Sequence, residues 1–143
     1  MTVGHILETK GGDVFTLRPE ATLEEAAKVL AEHRIGAIVL MDESDHVAGI
    51  VSERDIVRLV AKAGAESLTH PVRDVMTLKV ATCSRETSID EVLAIMTHGR
   101  FRHLPVVEDG KLLGIVSIGD VVKKRIEDAE REAEQMREYI AAG

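Results

Sequence analysis

Gly49-Ile50-Val51-Ser52-Glu53-Arg54-Asp55 is an apolar run that stops at a serine and meets an acid three residues later. It returns as Gly114-Ile115-Val116-Ser117-Ile118-Gly119-Asp120, so the chain holds two versions of one unit. In each version the apolar residues read as the end of a strand and Ser-x-x-Asp as the start of a helix.

Working outward from the first copy, Ile35-Gly36-Ala37-Ile38-Val39-Leu40-Met41 is too continuous for a half-exposed strand and reads as one buried on both faces. The polar stretch Asp42–His46 connects it to the returning strand Val47–Val51, and Ser52 opens a helix running to about Lys62. Upstream, Thr22 caps a helix with Leu23, Ala26, Ala27, Leu30 and Ala31 on one face, and Val14-Phe15-Thr16-Leu17 is a short strand closed by Arg18-Pro19. Val3-x-x-Ile6-Leu7 starts a helical turn that Lys10-Gly11-Gly12-Asp13 interrupts. One unit is therefore β-α-β-β-α, and the fold class is α+β (α/β).

The second unit aligns throughout. Val72-x-x-Val75-Met76 matches the first helical turn, Val80-Ala81-Thr82-Cys83 the first strand, and Ser88 with Ile89, Val92, Leu93 and Met96 the first helix. Arg34 lands on Arg100, and Glu108-Asp109-Gly110-Lys111 makes a shorter hairpin turn. The boundaries predicted are repeat 1 over 1–66, a linker over 67–71, repeat 2 over 72–128, and a helical extension over 129–143. In that tail Val122, Ile126, Ala129, Ala133, Met136 and Ile140 step by four and three, a heptad seam for a partner helix in a homodimer or for the protein's own domain.

Ser-x-x-Asp has two readings. In a capping box, Ser accepts from the N3 backbone N–H and the acid reaches back to the N-cap N–H. The other helix of each unit opens with Thr22-x-x-Glu25 and Ser88-x-x-Glu91, which carry the usual Glu, so Asp55 and Asp120 are the less apt back-reachers and are expected to face a ligand. Free N–H groups at a helix start suit a phosphate, and a carboxylate can take two bonds from vicinal ribose hydroxyls. Together they describe a nucleotide.

A formal charge of −7 argues against nucleic acid and anionic membrane as partners, and only three residues are aromatic. Cys83, the single cysteine, rules out an internal disulfide and reads as a buried, inert thiol. The six histidines are scattered without zinc-site spacing, so no metal is expected. No apolar run approaches membrane-spanning length and the N-terminus lacks a basic leader, which predicts a cytoplasmic protein.

The two Gly-x-x-Ser-x-x-Asp stretches, Asp74-Val75-Met76-Thr77 and Arg102-His103-Leu104-Pro105-Val106-Val107 resemble those of tandem CBS domains, the Bateman module of small stand-alone bacterial proteins. The resemblance implies two repeats packed with pseudo-two-fold symmetry and a non-catalytic sensor. Its regulatory ligand would be AMP, ADP, ATP, NAD(H) or S-adenosylmethionine, held in two clefts between the repeats. It further implies that the Asp takes the ribose hydroxyls, that the Ser lies by the phosphate, and that the adenine lies on backbone of the other repeat. Carried over by position, one cleft comprises Ser52, Arg54, Asp55, Val80, Ala81, Thr82, Arg102, His103, Leu104 and Pro105, and the other Val14, Phe15, Thr16, Gly36, Ala37, Ile38, Ser117 and Asp120. Because Arg102-His103 aligns with Gly36-Ala37, and Arg54 with Gly119, the Asp55 cleft is expected to take the more anionic ligand. The competing function is a constitutive dimerisation module with vestigial clefts. An enzyme is not expected, since phosphate loops and dinucleotide glycine motifs are absent.

Overall fold

Ile38, Val39 and Leu40 are almost completely buried in strand β2 (Ala37–Met41), as a strand covered on both faces requires. The computed structural model of the protein describes residues 1–11 and 14–142. Strand β1 (Thr16–Leu17) runs parallel to β2, with Leu17 opposite Leu40, and β3 (Val47–Ser52) antiparallel, with Val39 opposite Ile50. Asp42 Oδ1 holds the polar connection by accepting from the N–H groups of Ser44 (2.8 Å) and His46 (3.0 Å). The first strand is shorter than its sequence promised, pairing only at Thr16 and Leu17; the Phe15 ring before it stacks on His33, centroids 3.6 Å apart.

Helix α2 (Leu23–His33) is capped by Thr22, whose hydroxyl accepts from the Glu25 N–H. It buries Leu23, Ala26 and Leu30, while Ala31, assigned to the same face, is exposed. With Ile38, Leu40, Val51, Val72 and Ile56 of α3 (Glu53–Ala63), these side chains make one apolar core. The linker is not structureless: it holds a 3-10 turn over Ala65–Thr69, with Ser67 buried and its hydroxyl on the Gly64 carbonyl.

The second repeat follows closely. Helix α4 (Ile89–Gly99) buries Ile89, Val92 and Met96. Both α2 and α4 end on an arginine in the left-handed region, Arg34 at φ 53° and Arg100 at φ 58°. Strands β4 (His103–Glu108) and β5 (Lys111–Ser117) form a two-stranded sheet joined by Asp109-Gly110, both at positive φ as a tight hairpin turn demands. The strand expected over Val80–Cys83 does not form. The Val80 N–H turns back onto the Leu78 carbonyl, and only Cys83 reaches β4, bridging Val106 in the register that Leu17 has with Leu40. Helix α5 (Ile118–Ala142) is continuous, as expected.

The repeats exchange their entry segments. Helix α1 (Val3–Lys10) belongs in sequence to repeat 1 but docks on the start of α4. The Val3 N–H donates to the Thr87 carbonyl, Gly4 to Arg85, and Ile89 to Met1. The entry of repeat 2, a 3-10 turn over Val72–Asp74, docks on the start of α2 through the matching three bonds: Val72 to Ala21, Arg73 to Pro19, and Leu23 to His70. Val3 and Val72, the equivalent anchors, are both fully buried. The chain accordingly divides into two compact units that cut across the sequence repeats, one of Met1–Gly12, Thr82–Glu108 and Leu113–Gly143, the other of Asp13–Ala81 and Asp109–Leu112. Gly11 ends α1 at φ 88°, as the glycine turn predicted; Gly12 and Asp13 lie outside the described residues.

Candidate ligand-binding site

Ser52 ends β3 and caps α3. Its N–H and hydroxyl both donate to Asp55 Oδ2, at 2.8 and 3.0 Å, and the Asp55 N–H donates to Ser52 Oγ at 3.3 Å. The capping box is therefore complete, which corrects the expectation that this acid faces away from its own helix. Thr22 and Ser88 cap α2 and α4 without the return bond from Glu25 or Glu91. The shorter carboxylate reaches the N-cap N–H with fewer rotors to immobilise, and the Ser52 hydroxyl adds a second donor. Capping occupies one oxygen; Asp55 Oδ1 accepts no hydrogen bond among the described residues. Gly49 has a packing reason of its own: a Cβ there would stand 2.7 Å from Met76 Sδ and 2.9 Å from the Thr77 carbonyl, where the repeat 2 entry segment crosses β3.

The Glu53 N–H donates to the Gly36 carbonyl at 3.0 Å and Ala37 pairs with Ser52, so Gly36, Ala37 and Ile38 stand beside the Asp55 helix start. Arg54 is exposed there, and Val80 and Ala81 are half-buried in the same unit.

The Asp120 start repeats this geometry with different neighbours. The Ser117 N–H donates to Asp120 Oδ2 at 2.9 Å, and the Asp120 N–H to Ser117 Oγ at 3.1 Å. The Ile118 N–H donates to the Arg102 carbonyl at 2.8 Å, the counterpart of Glu53 and Gly36, so Arg102 and the β4 entry His103-Leu104-Pro105 stand beside Ser117. Lys10 arrives from α1, its ammonium 2.7 Å from Asp120 Oδ2 and 2.9 Å from the Ile115 carbonyl. Burial pushes the Asp120 carboxyl up, but the Lys10 ammonium and the Ser117 N–H outweigh it and hold the group below the usual carboxylate range. Lys10, Lys123 and Lys124, together with the second carboxylate Glu127, line a cavity of about 270 Å³ around Asp120, with Ile6 and Thr9 on the α1 side.

Sequence position assigns Arg102–Pro105 to Asp55 and Gly36–Ile38 to Asp120, but each unit by itself assembles the opposite sets. Lys10, Lys123 and Lys124 stand near Asp120, while Gly36, Ala37 and the exposed Arg54 flank Asp55. Lys10 escaped the sequence reading because its partner lies in the other repeat and meets it only through the exchanged entry segment. The one available sign was that repeat 1 is longer than repeat 2 between its entry segment and first strand.

Of the remaining candidates, Phe15, Thr16 and Thr82 are exposed and Val14 half-buried, with His33 stacked on one face of the Phe15 ring. Cys83 is buried, and burial pushes its thiol up to about 11, so it is protonated and inert as expected. Among the described residues no group of three or more His, Cys, Asp or Glu could hold a metal ion, and no helix is long and apolar enough to cross a membrane.

The CBS domain family model matches residues 3–62 and 72–127. A CBS-domain containing protein from Agrobacterium tumefaciens superposes with a TM-score of 0.83 at 48% identity, covering 87% of this chain and 92% of that one. The CBS domain pair of protein MJ0100, solved in complex with 5′-methylthioadenosine and S-adenosyl-L-methionine, superposes with a TM-score of 0.80 at 26% identity, covering 90% of this chain and 98% of that one. Among curated proteins, the mitochondrial CBS domain-containing protein CBSX3 of Arabidopsis thaliana is 33% identical over 99% of this chain and 73% of its own length. Two matched repeats, two equivalent helix starts and these near full-length superpositions establish that the chain belongs to the CBS-domain family and carries the domain as a tandem pair.

Proposed function

We propose that the protein is a non-catalytic regulatory module that binds an adenosine-containing ligand, with Asp55 and Asp120 as acceptors for ribose hydroxyls. The observation that carries this reading is the pair of Ser-x-x-Asp helix starts, where a carboxylate completes its cap through one oxygen at the positive end of a helix. The methylthioadenosine and S-adenosylmethionine held by the MJ0100 pair support the ligand class. The residues that the resemblance adds, Val80, Ala81 and Thr82 for one ligand and Val14, Phe15 and Thr16 for the other, would carry the adenine.

The Asp120 site takes the more anionic ligand, AMP, ADP, ATP or NAD(H). Ribose hydroxyls compete with Lys10 for the Asp120 carboxylate, and a phosphate gives the displaced ammonium a new partner beside Arg102. The Asp55 site, flanked by Gly36 and Ala37, suits a less anionic nucleoside such as S-adenosylmethionine. Ligand acts as a signal by binding one conformation better than another, in a cytoplasmic protein that works without nucleic acid or membrane.

The test is a thermal-shift panel on nucleotide-stripped protein with AMP, ADP, ATP, NAD, NADH and S-adenosylmethionine. A ligand at a hundred times its Kd adds about 2.7 kcal/mol, or roughly 5–10 °C for a chain of this size. A flat panel on folded protein would overturn the reading in favour of a constitutive dimerisation module, which the exposed apolar seam of α5 favours.

A further inference from the structure

Helix α5 has two faces with different fates. Val121 and Asp128 are buried and Lys124 is half-buried, on the side that packs against α4. Val122, Ile126, Ala129, Ala133, Met136 and Ile140 lie on the other side and all are exposed, Ile126 at 53% and Ile140 at 69%. From residue 129 to 142 every residue is exposed. This segment spans about 21 Å, and a helix so short is marginal in water without a partner. The seam is therefore not used for packing on the protein's own domain, one of the two roles its sequence allowed.

The charges beside the seam say what covers it. With Ile126, Ala133 and Ile140 at heptad position a and Val122, Ala129 and Met136 at d, position g holds Arg125 and Glu132, and position e holds Lys123, Glu130 and Arg137. Two parallel, in-register copies bring each g residue against the e residue five positions later on the partner. Arg125 then meets Glu130 and Glu132 meets Arg137, every pair of opposite sign and each formed twice. Full antiparallel overlap sets Glu130 on Glu130, Glu132 on Glu132 and Lys123 on Arg137, all of like sign. Among the described residues of one chain Arg125 makes only an exposed pair with Asp90 at 3.4 Å, and Arg137 an exposed pair with Glu134 at 3.3 Å. We infer that α5 of a second copy of this chain covers the seam, parallel and in register, as a two-stranded coiled coil.

Such pairing needs no ligand, so it would persist in a protein that ignored every nucleotide. The experiment combines mass measurement by light scattering with disulfide trapping of the full chain. Ala133→Cys and Met136→Cys should each give covalent dimers on mild oxidation, because parallel register sets each position against itself, while the outward Arg131→Cys should not. Cys83 is buried and does not compete. Arg137→Glu and Glu132→Arg should each weaken self-association about tenfold by turning two attractive contacts repulsive, and an equimolar mixture of the two should recover it as a heterodimer. Unchanged melting temperatures of the monomeric fraction keep misfolding out of the comparison. A monomeric wild type, a dimer indifferent to both charge variants, or failure to trap at residues 133 and 136 would each overturn the inference.

Discussion

Replacing Lys10 with Met would keep the aliphatic stem of that side chain and remove only its ammonium. The ammonium joins α1 to α5 and β5 by two short bonds, 2.7 Å to Asp120 Oδ2 and 2.9 Å to the Ile115 carbonyl. A charge-assisted bond in shelter is worth about 1.5–3 kcal/mol, and an exposed ion pair about 0–1 kcal/mol. The side chains are 35% and 27% exposed, between those limits, so the two bonds together contribute roughly 1–2 kcal/mol. For this chain that is a fall in Tm of about 3–6 °C at neutral pH. The loss has a signature that mere repacking lacks. The folded carboxyl of Asp120 titrates below its ordinary value of 3.8, so its contribution is complete above that value and lost as pH falls from there through the lower folded one. The gap between wild type and variant should be widest near neutrality and narrow as pH falls from 3.8 through the lowered folded value, leaving only the share of the Ile115 bond once Asp120 is neutral. Thermal unfolding followed by far-UV circular dichroism at several pH values reads it directly. Equal melting temperatures at neutral pH, or a gap of constant size down to acid pH, would refute the assignment of this ion pair.

Three further outcomes follow from the same geometry. Asp55→Asn and Asp55→Ala should both weaken nucleotide binding about tenfold or more, but only Ala, which leaves the Ser52 N–H uncapped, should lower Tm, by about 2–4 °C; calorimetric titration beside melting separates the two roles. Gly49→Ala should cost about 1–3 kcal/mol, because its Cβ would strike the Thr77 backbone as well as Met76, whereas Gly114→Ala meets only the mobile tip of Leu7 and should cost less in denaturant titrations. A fragment of residues 14–81 retains the entry segment that covers α2, whereas 1–66 lacks it, so the former should hold more helix and melt more cooperatively; the reverse order would mean that the exchanged segments matter little.

Much of the fold was legible because burial writes itself into local patterns. The apolar run from Ile35 to Met41 became the buried strand β2, and Thr22 and Ser88 became caps where their side chains could reach the N3 amides. The aligned arginines even share a left-handed conformation, since each ends its helix in the same way. Val80–Cys83 misled because the aligned pattern carried no sign of the turn at Leu78 that consumes the Val80 N–H. Asp55 and Asp120 misled because the usual preference for Glu in a capping box says nothing of how well a shorter carboxylate fits a given helix start.

The sequence by itself determined the repeat, the order of the main helices and hairpin strands in each half, the caps, the inert cysteine and the apolar seam of α5. All of these depend on residues close together in the chain, where spacing fixes geometry. Tertiary structure alone decided which entry segment docks on which repeat, and hence that Lys10 meets Asp120; it decided too that Arg102 stands beside Ser117 and that the seam is uncovered within one chain. Those pairings join residues far apart in sequence, and two similar repeats offer each segment two equivalent docking places. Nothing in the local pattern of either repeat distinguishes its own partner from its twin's.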